Sequence, residues 1–584
     1  MSTDFRKVLV KDDRLIVSDQ VSYAVLKGGQ NMTAQQFNAI GSNFTSSINF
    51  NLQIPSQETI VSRNVLMKGT LEFSITGATQ PSAAAASDQV SGLNFLFHYG
   101  GTDCFGPMVF NQLITTQQYT INNTTVSQNT RDILAVILRI HDKRWLARYN
   151  GMTPIMYDTY SKLPGMVFAG TLLNVINNPA GGFPNNGMDN DLLTRGSFPL
   201  KSLIPADAGL PNYSPQNGPG AGALRTITVQ VEVTEPVLIS PFTFAGDDSC
   251  GFYGIQNLSA VINLDQSANT AIRFFNSINR HVAPPVVRLV QVIKPQLLFQ
   301  LLTPHASDML PARNVVPYYE LPRYIQTCPA FPEQATQVIT SQSLQLNMIP
   351  DKLIISVGKP VSARTCADGD AWLSISGITI NWNNTSGILS SATAQDLWRM
   401  SVENGSNQSW HEFLGYGQNF PNAITSSAGA GALTYSTLCG SVLILEFGKD
   451  IQLSEDYYAP GSLGNFQLQF NVTVTNASQG AAAAGDYQLL TIIQNSGVFS
   501  IERGVSSSYL GVLTKSDVLE ASRQEATSYS NGLRMVGGAN SQFGRLKANL
   551  GKIGKGESGG MTNGMGKSKK SSKVGSFGGL EDRY

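Results

Sequence analysis

The sequence predicts an all-β protein built of two consecutive sandwiches. Three features carry that prediction: apolar residues alternating with period two, turns rich in Gly, Pro and Asn, and a repeat of the first half in the second. In 224–235, LRTITVQVEVTE, Ile227, Val229, Val231 and Val233 point one way and Thr228, Gln230 and Glu232 the other. Residues 465–474 use the same device, with Phe466, Leu468, Phe470, Val472 and Val474 inward and Gln467, Gln469, Asn471 and Thr473 outward. Successive side chains of a strand point to opposite faces, so each run is a strand with one buried face. Similar runs occupy 46–54, 60–76, 93–98, 286–302, 338–348, 352–357, 371–382, 441–447 and 486–502.

Two segments have helical spacing instead. Asn129 stands three residues before Asp132, ahead of Ile133, Leu134, Ile137 and Leu138. Thr393 and Asp396 stand in capping-box order ahead of Leu397, Trp398 and Met400. Each helix falls midway through a run of strands, which exposes the repeat. NFNLQIPS at 49–56 answers LQLNMIPD at 344–351, and YTINNTTVSQNTRDIL at 119–134 answers ITINWNNTSGILSSATAQDLW at 378–398. The strand 226–233 then answers 441–447, and 258–264 answers 463–470, in the same order.

The halves differ in one interval: 94 positions separate Asp132 from Thr226, against 45 from Asp396 to Ser441. The first half therefore carries an insertion, expected as an irregular outer loop at about 150–222, where Gly and Pro make a sheet improbable. Between the halves, Pro317, Pro322, Pro329 and Pro332 predict an extended linker over 312–332. After about 515 the alternation ends; SDVLEASRQEATSYS reads as one short helix, and the Gly-, Ser- and Lys-rich remainder as a flexible tail. The expected division is an N-terminal arm at 1–45, a first sandwich at 46–305, a second at 306–515, and a helix with a basic tail at 516–584.

Only 14% of residues are charged and the net charge is +0, well below the roughly 25% of ordinary soluble domains. Net charge keeps soluble proteins apart, so this surface reads as one that packs against copies of itself. No apolar stretch reaches the length of a membrane helix, and the charges in MSTDFRKVLVKDDRLIV argue against export by a signal peptide. Cys104, Cys250, Cys328, Cys366 and Cys439 are scattered, odd in number and without CxxC pairing, which predicts free buried thiols.

No catalytic, cofactor or metal site is expected. Asp247 with Asp248, and Glu455 with Asp456, are adjacent pairs beside turn residues, and neighbours on a strand face opposite ways. The five histidines have no metal-ligand spacing. GMTNGMGKS at 560–568 encloses five residues between its glycines where a phosphate-binding loop needs four. The five tryptophans, Trp145, Trp372, Trp382, Trp398 and Trp410, read as core rather than as a sugar-binding surface. The tail has a definite chemistry: Arg534, Arg545, Lys547, Lys552, Lys555, Lys567, Lys569, Lys570 and Lys573 face only Glu557, while Phe543, Leu546, Leu550 and Ile553 recur at helical spacing. A basic amphipathic segment suits contact with DNA, a membrane surface or another protein; the plainer reading is a solvated tail.

VLKGGQ at 25–30, YYELPRY at 318–324, IPDKLIISV at 349–357, WNNTSGILSSATAQDLWRMSVENGSNQSWHEF at 382–413 and LILEFGKDIQLSEDYYAPGSLGNFQLQFNVTVTN at 443–476 carry a family resemblance. The chain resembles the double jelly-roll major capsid proteins of the adenovirus and tailless-phage lineage, and within it those of virophages and polinton-like viruses. The resemblance implies two jelly rolls with a short helix in each, and no enzymatic activity. It also implies pseudo-hexagonal homotrimeric capsomers that build the icosahedral shell of a double-stranded DNA virus inside the host cell. The implied partners are the chain itself, neighbouring capsomers, and penton and minor capsid proteins. Met535, Val536, Gly537, Gly538 and Ala539 fit the [MIL]xGG-x pattern of adenovirus-type proteases, which predicts a cut between Gly538 and Ala539; Leu26 to Gly29 fits too, but within a region expected to be folded. The alternatives are a secreted β-sandwich adhesin or lectin and a polysaccharide-active enzyme.

Overall fold

The computed structural model describes segments between Ala24 and Thr514. It leaves out 1–23, 26–31, 79–95, 98–102, 141–199, 206–223, 243–249, 275–282, 305–309, 420–433, 454–458, 477–485 and 515–584, with shorter gaps between. In the first half, Ser47–Gln53, Asn257–Leu264, Ile114–Ile121 and Thr124–Gln128 form a four-stranded sheet in that order. A larger sheet runs Ala24–Val25, Cys250–Phe252, Ile60–Ser62, Val286–Leu302, Leu66–Gly77, Arg225–Pro236, Ser202–Pro205, with Met32–Asn38 added alongside Val286–Leu302. One core cluster draws on both sheets, including Ile48, Phe50, Phe73, Val231, Ile262 and Leu297.

The second half repeats this order. Leu344–Met348, Ser462–Thr475, Ser374–Trp382 and Thr385–Ile388 reproduce the four-stranded sheet strand for strand, with Thr336–Thr340 lengthening its edge. Tyr487–Glu502, Lys352–Gly358 and Leu443–Glu446 take the places of Val286–Leu302, Leu66–Gly77 and Arg225–Pro236. The repeat reaches single torsions. Asn122 and Asn383 turn the equivalent hairpins at φ 51° and 50°, a left-handed conformation that asparagine tolerates better than most residues. Each amide donates to the adjacent strand, to Asn257 and Gln467, and each side-chain oxygen accepts a backbone N–H from Gln256 and Gln467 at 2.8 Å.

The alternating runs bury the residues that the sequence assigns inward. Val229, Val231 and Val233 are buried, as are Phe466, Leu468, Phe470, Val472 and Val474. The helices are Thr130–Ile140 and Ala394–Glu403; in the latter, Thr393 and Asp396 complete the predicted capping box. Short helices Val109–Leu113 and Trp410–Leu414 are additional. Trp382 is fully buried and stacks on Phe466 at 5.4 Å, whereas Trp398 and Trp410 are half-buried against the core. Cys328, Cys366 and Cys439 are free and buried.

Five expectations need correction. The presumed linker 312–332 is two strands, Arg313–Glu320 and Arg323–Cys328, both paired with Tyr487–Glu502. Its prolines do not prevent this, because Pro317 lies on an edge strand and Pro322 between the two, where no ladder donor is lost. The outer-loop range 150–222 contributes the strand Ser202–Pro205, paired with Ile227–Gln230; the rest of it, apart from Leu200 and Lys201, lies outside the described residues. The run 60–76 breaks at Arg63, whose buried guanidinium bonds the Pro241 carbonyl at 2.9 Å, and 338–348 breaks at Ser341, whose hydroxyl accepts from the Phe470 amide at 2.8 Å. At 93–98 the described residues Leu96 and Phe97 are buried but not in a strand.

Candidate functional site: the joint between the two sandwiches

The predicted tail residues, Gly538, Ala539, Arg545, Lys547, Lys552, Lys555, Lys567, Lys569, Lys570 and Lys573, lie outside the described residues, as do Asp247, Asp248, Glu455 and Asp456. Among the described residues no group of three His, Cys, Asp or Glu side chains is placed to hold a metal, and no helix is long and apolar enough to cross a membrane. What the structure does assemble is an extensive joint between the two sandwiches.

The first-half helix Thr130–Ile140 is amphipathic, and its Ile133, Val136 and Ile137 do not enter their own sandwich's core. They cluster with Ile354, Trp372, Cys439, Val442, Ile444, Leu490 and Ile492 of the second. Register explains why those residues are available. Ile354 pairs with both Ile444 and Ile492, forming one row across three strands, while Leu353, Ile355, Leu443, Leu445 and Ile493 face the second core. This sheet is therefore apolar on both faces, and the helix covers the outer one.

At the end of the helix, fully buried Arg139 donates to Asp370 at 3.0 Å and lies 4.2 Å from the centre of the Trp372 ring. Burial disfavours its charge, but Asp370, with Cys439 and Glu412 nearby, outweighs that and holds the guanidinium above its ordinary pKa. Burial pushes the neighbouring Cys439 thiol up to about 12, so it stays protonated and unreactive. The Arg139 carbonyl accepts from the Asn407 amide at 2.8 Å, and Arg323 pairs with Asp132 at 3.0 Å at the other end.

A second contact region comes from the strands flanking the chain's return. Val316, Tyr318, Phe499 and Ile501 of the second half belong to the first core cluster. Val505–Leu510 pairs with Tyr487–Glu502 and brings Ser506 to the first sandwich's hairpin. There the Ser506 amide donates to Asn123 Oδ1 at 2.7 Å, its hydroxyl donates to the Ile121 carbonyl, and the Thr124 hydroxyl donates to the Ser506 carbonyl at 2.6 Å. The Tyr319 amide donates to Ser240 Oγ at 2.8 Å, and the Phe274 amide to the Cys366 carbonyl at 2.8 Å. The joint thus combines an apolar cluster, a buried ion pair and backbone hydrogen bonds spread over both halves. Such contacts hold two domains at one fixed spacing, unlike the small polar interfaces that allow domains to move.

Periodicity alone does not single out this joint, whose contacts set the spacing of the two sandwiches. Residues 3–302 match the Sputnik virophage major capsid protein 1st domain, and 321–497 the major capsid protein V20 C-terminal domain. The putative capsid protein V20 of Sputnik virophage is 27% identical over 573 residues, spanning 94% of this chain and 86% of that one. The fold is similar to that in the 3.5 Å cryo-EM structure of the Sputnik virophage, with TM-score 0.69 and 24% identity over 93% of this chain and 97% of that one. It is also similar to the mavirus major capsid protein, with TM-score 0.62 and 14% identity over 87% and 95%. Two sandwiches with the same central strand order, fixed to one another by a buried joint and matched in both halves by capsid domains, place this chain in the family of virophage major capsid proteins, structural proteins of the virion and not enzymes.

Proposed function

We propose that three copies of this chain form a pseudo-hexagonal capsomer, and that capsomers tile the icosahedral shell of a double-stranded DNA virus. The observation that carries this reading is the repeat of strand order in two sandwiches held by the joint. Three such chains around a three-fold axis present six similar units, and six similar units fill a hexagonal lattice evenly. When one patch meets a different patch on the next copy, the copies form a ring if the rotation between them closes. In this reading 46–305 and 306–515 are the two jelly rolls, 1–45 is an arm that adds Met32–Asn38 to the first one's sheet, and 150–222 faces outward. Neighbouring capsomers, penton and minor capsid proteins are the further partners. The basic segment from Arg545 to Lys573 contacts genome DNA or an internal membrane, and a protease cut between Gly538 and Ala539 separates it from the shell. Electron microscopy of the purified protein tests the capsomer: three-fold particles with hexagonal outlines are expected, and a folded monomer at micromolar concentration overturns it. Mass spectrometry of particles tests the cut, since chains ending at Tyr584 in most copies would reject it.

A further inference from the structure

The smaller sheet of each sandwich turns an uncharged face to solvent. In the first half its strands are Ser47–Gln53, Asn257–Leu264, Ile114–Ile121 and Thr124–Gln128. In the second they are Thr336–Thr340, Leu344–Met348, Ser462–Thr475, Ser374–Trp382, Thr385–Ile388 and Leu513–Thr514. None of these strands contains Asp, Glu, Lys, Arg or His, in a chain that is 14% charged. The opposite sheets do carry charge, with Lys68, Glu72, Glu232 and Arg288 in the first half and Arg323, Lys352 and Glu446 in the second.

Register lays the outer side chains of the uncharged sheets in rows. They are Asn49–Val261–Gln118–Ser127 and Asn51–Ser259–Thr120–Thr125 in the first half, and Thr340–Asn471–Thr379 and Gln345–Gln467 in the second. Asn49, Asn51, Gln118, Thr340, Gln345 and Gln467 are exposed. Val261 at 36% and Val338 at 63% add exposed apolar area to the two faces. Surfaces that stay in water normally mix charges of both signs, whereas the centres of protein interfaces are depleted in Asp, Glu and Lys. Amides and hydroxyls each donate and accept hydrogen bonds, so a face made of them is complementary to a copy of itself. A charged face is not, because like charges meet when it is turned on its copy.

We infer that these two uncharged faces form the lateral contact between capsomers, each docking on an uncharged face of a chain in the neighbouring capsomer. The inference rests on the capsomer reading above. First and second sandwiches alternate around such a capsomer, so opposite sides of its hexagonal outline carry one of each. Neighbours in the same orientation therefore bring a first sandwich against a second, and neighbours related by a two-fold axis bring first against first or second against second. One chain must make all three pairings. The same self-complementary chemistry on both faces meets that demand and accounts for the loss of charge from every strand of both sheets.

The test uses the full-length protein, with native mass spectrometry to identify trimers and light scattering to follow their association. Asn49→Glu with Gln118→Glu, and separately Thr340→Glu with Gln467→Glu, place like charges on the first and the second face. Both variants are expected to stay trimeric. Each should raise the concentration at which trimers associate by on the order of tenfold at low salt, and recover part of that at about 0.5 M salt as the charges are screened. The parent has no charge in the contact and should shift by less than about threefold over the same range. Asn49→Lys with Gln118→Lys should fail to associate alone, as the Glu form does, and mixing the two should restore association, which a variant damaged in folding could not do. A monomeric parent overturns the capsomer reading and the lateral contact together. Parent trimers that stay dispersed, Glu variants that associate as the parent does, or a Glu and Lys mixture no better than either alone overturn the lateral contact and leave the capsomer standing.

Discussion

The guanidinium of Arg139, near the end of the first sandwich's helix, is bonded at 3.0 Å to Asp370 of the second sandwich, with both side chains shielded from water. A buried pair of this kind costs desolvation on both sides, and its removal is asymmetric: losing one partner strands the other charge. Arg139→Met is expected to destabilise the chain by about 3–5 kcal/mol, whereas Arg139→Met with Asp370→Leu should recover most of that loss. Denaturant melts of the two variants decide it. If the double variant is no better than the single one, the pair is not the source of the loss and the Trp372 contact becomes the explanation.

Gly440 lies at φ +92°, and a Cβ there would sit 2.1 Å from the carbonyl oxygen of Trp372. Backbone cannot give way as a flexible side chain can, and Gly440 also donates to the Glu412 carbonyl at 3.0 Å and accepts from Gln408 Nε2 at 3.0 Å. Gly440→Ala should therefore displace Trp372 and loosen the joint, with a loss above the ~1–2 kcal/mol that a left-handed backbone alone costs an L-residue. Gly387, at φ +79° with nothing within 4 Å, is the control; Gly387→Ala should cost less. Equal losses in thermal melts would contradict the steric account.

Much of the fold was legible because half-buried strands announce themselves by alternation. Arg225–Pro236 and Ser462–Thr475 were read with nearly correct ends and correct inward residues. The capping box of Thr393 and Asp396 marks its helix, while the same device at Ser409 and Glu412 precedes a helix of only five residues, too short for periodicity to show. Arg313–Glu320 reads as linker from the sequence because proline suppresses a strand reading unless the strand is known to lie at an edge, and edge position is a tertiary fact. The joint left a trace that went unused. LIISV at 353–357, VLILE at 442–446 and LLTII at 489–493 are continuous rather than alternating, the pattern of strands buried on both faces. Which element covers the second face cannot be read from periodicity.

The joint's apolar cluster should behave as core and not as surface. Ile137 is 4% exposed, among Ile354, Ile444 and Ile492. Ile137→Ala is expected to cost about 2–5 kcal/mol, while Gln395→Ala on the second helix, whose side chain is exposed, should stay within about 0.5 kcal/mol. A fragment of 306–515 expressed alone should aggregate, because Ile354, Ile444, Leu490 and Ile492 would form a bare patch; Ile354→Thr with Ile444→Thr should improve its solubility. A soluble parent fragment would show that the second sandwich does not need the helix.

Asp351 gives the fold a dependence on pH whose sign can be worked out. Burial raises its carboxyl to about 7; Lys352 beside it pulls the value down and Glu446 pushes it up. Its Oδ2 has no hydrogen-bond partner among the described residues. A carboxyl that is harder to ionise in the folded chain binds its proton more tightly there than in the unfolded chain. Its contribution to stability is therefore fully present below the ordinary carboxylate range and is lost as pH rises through about 7. At pH 8 the folded chain must hold a buried carboxylate, and Asp351→Asn removes that charge at nearly constant size. The variant is expected to melt above the parent at pH 8, with the gap narrowing at pH 6 and closing near pH 4. Comparing the two proteins at each pH cancels the titration of every other group. A gap that stays constant from pH 4 to 8 would mean that Asp351 remains ionised in the fold, with water or a neighbouring copy supplying the missing hydrogen bond.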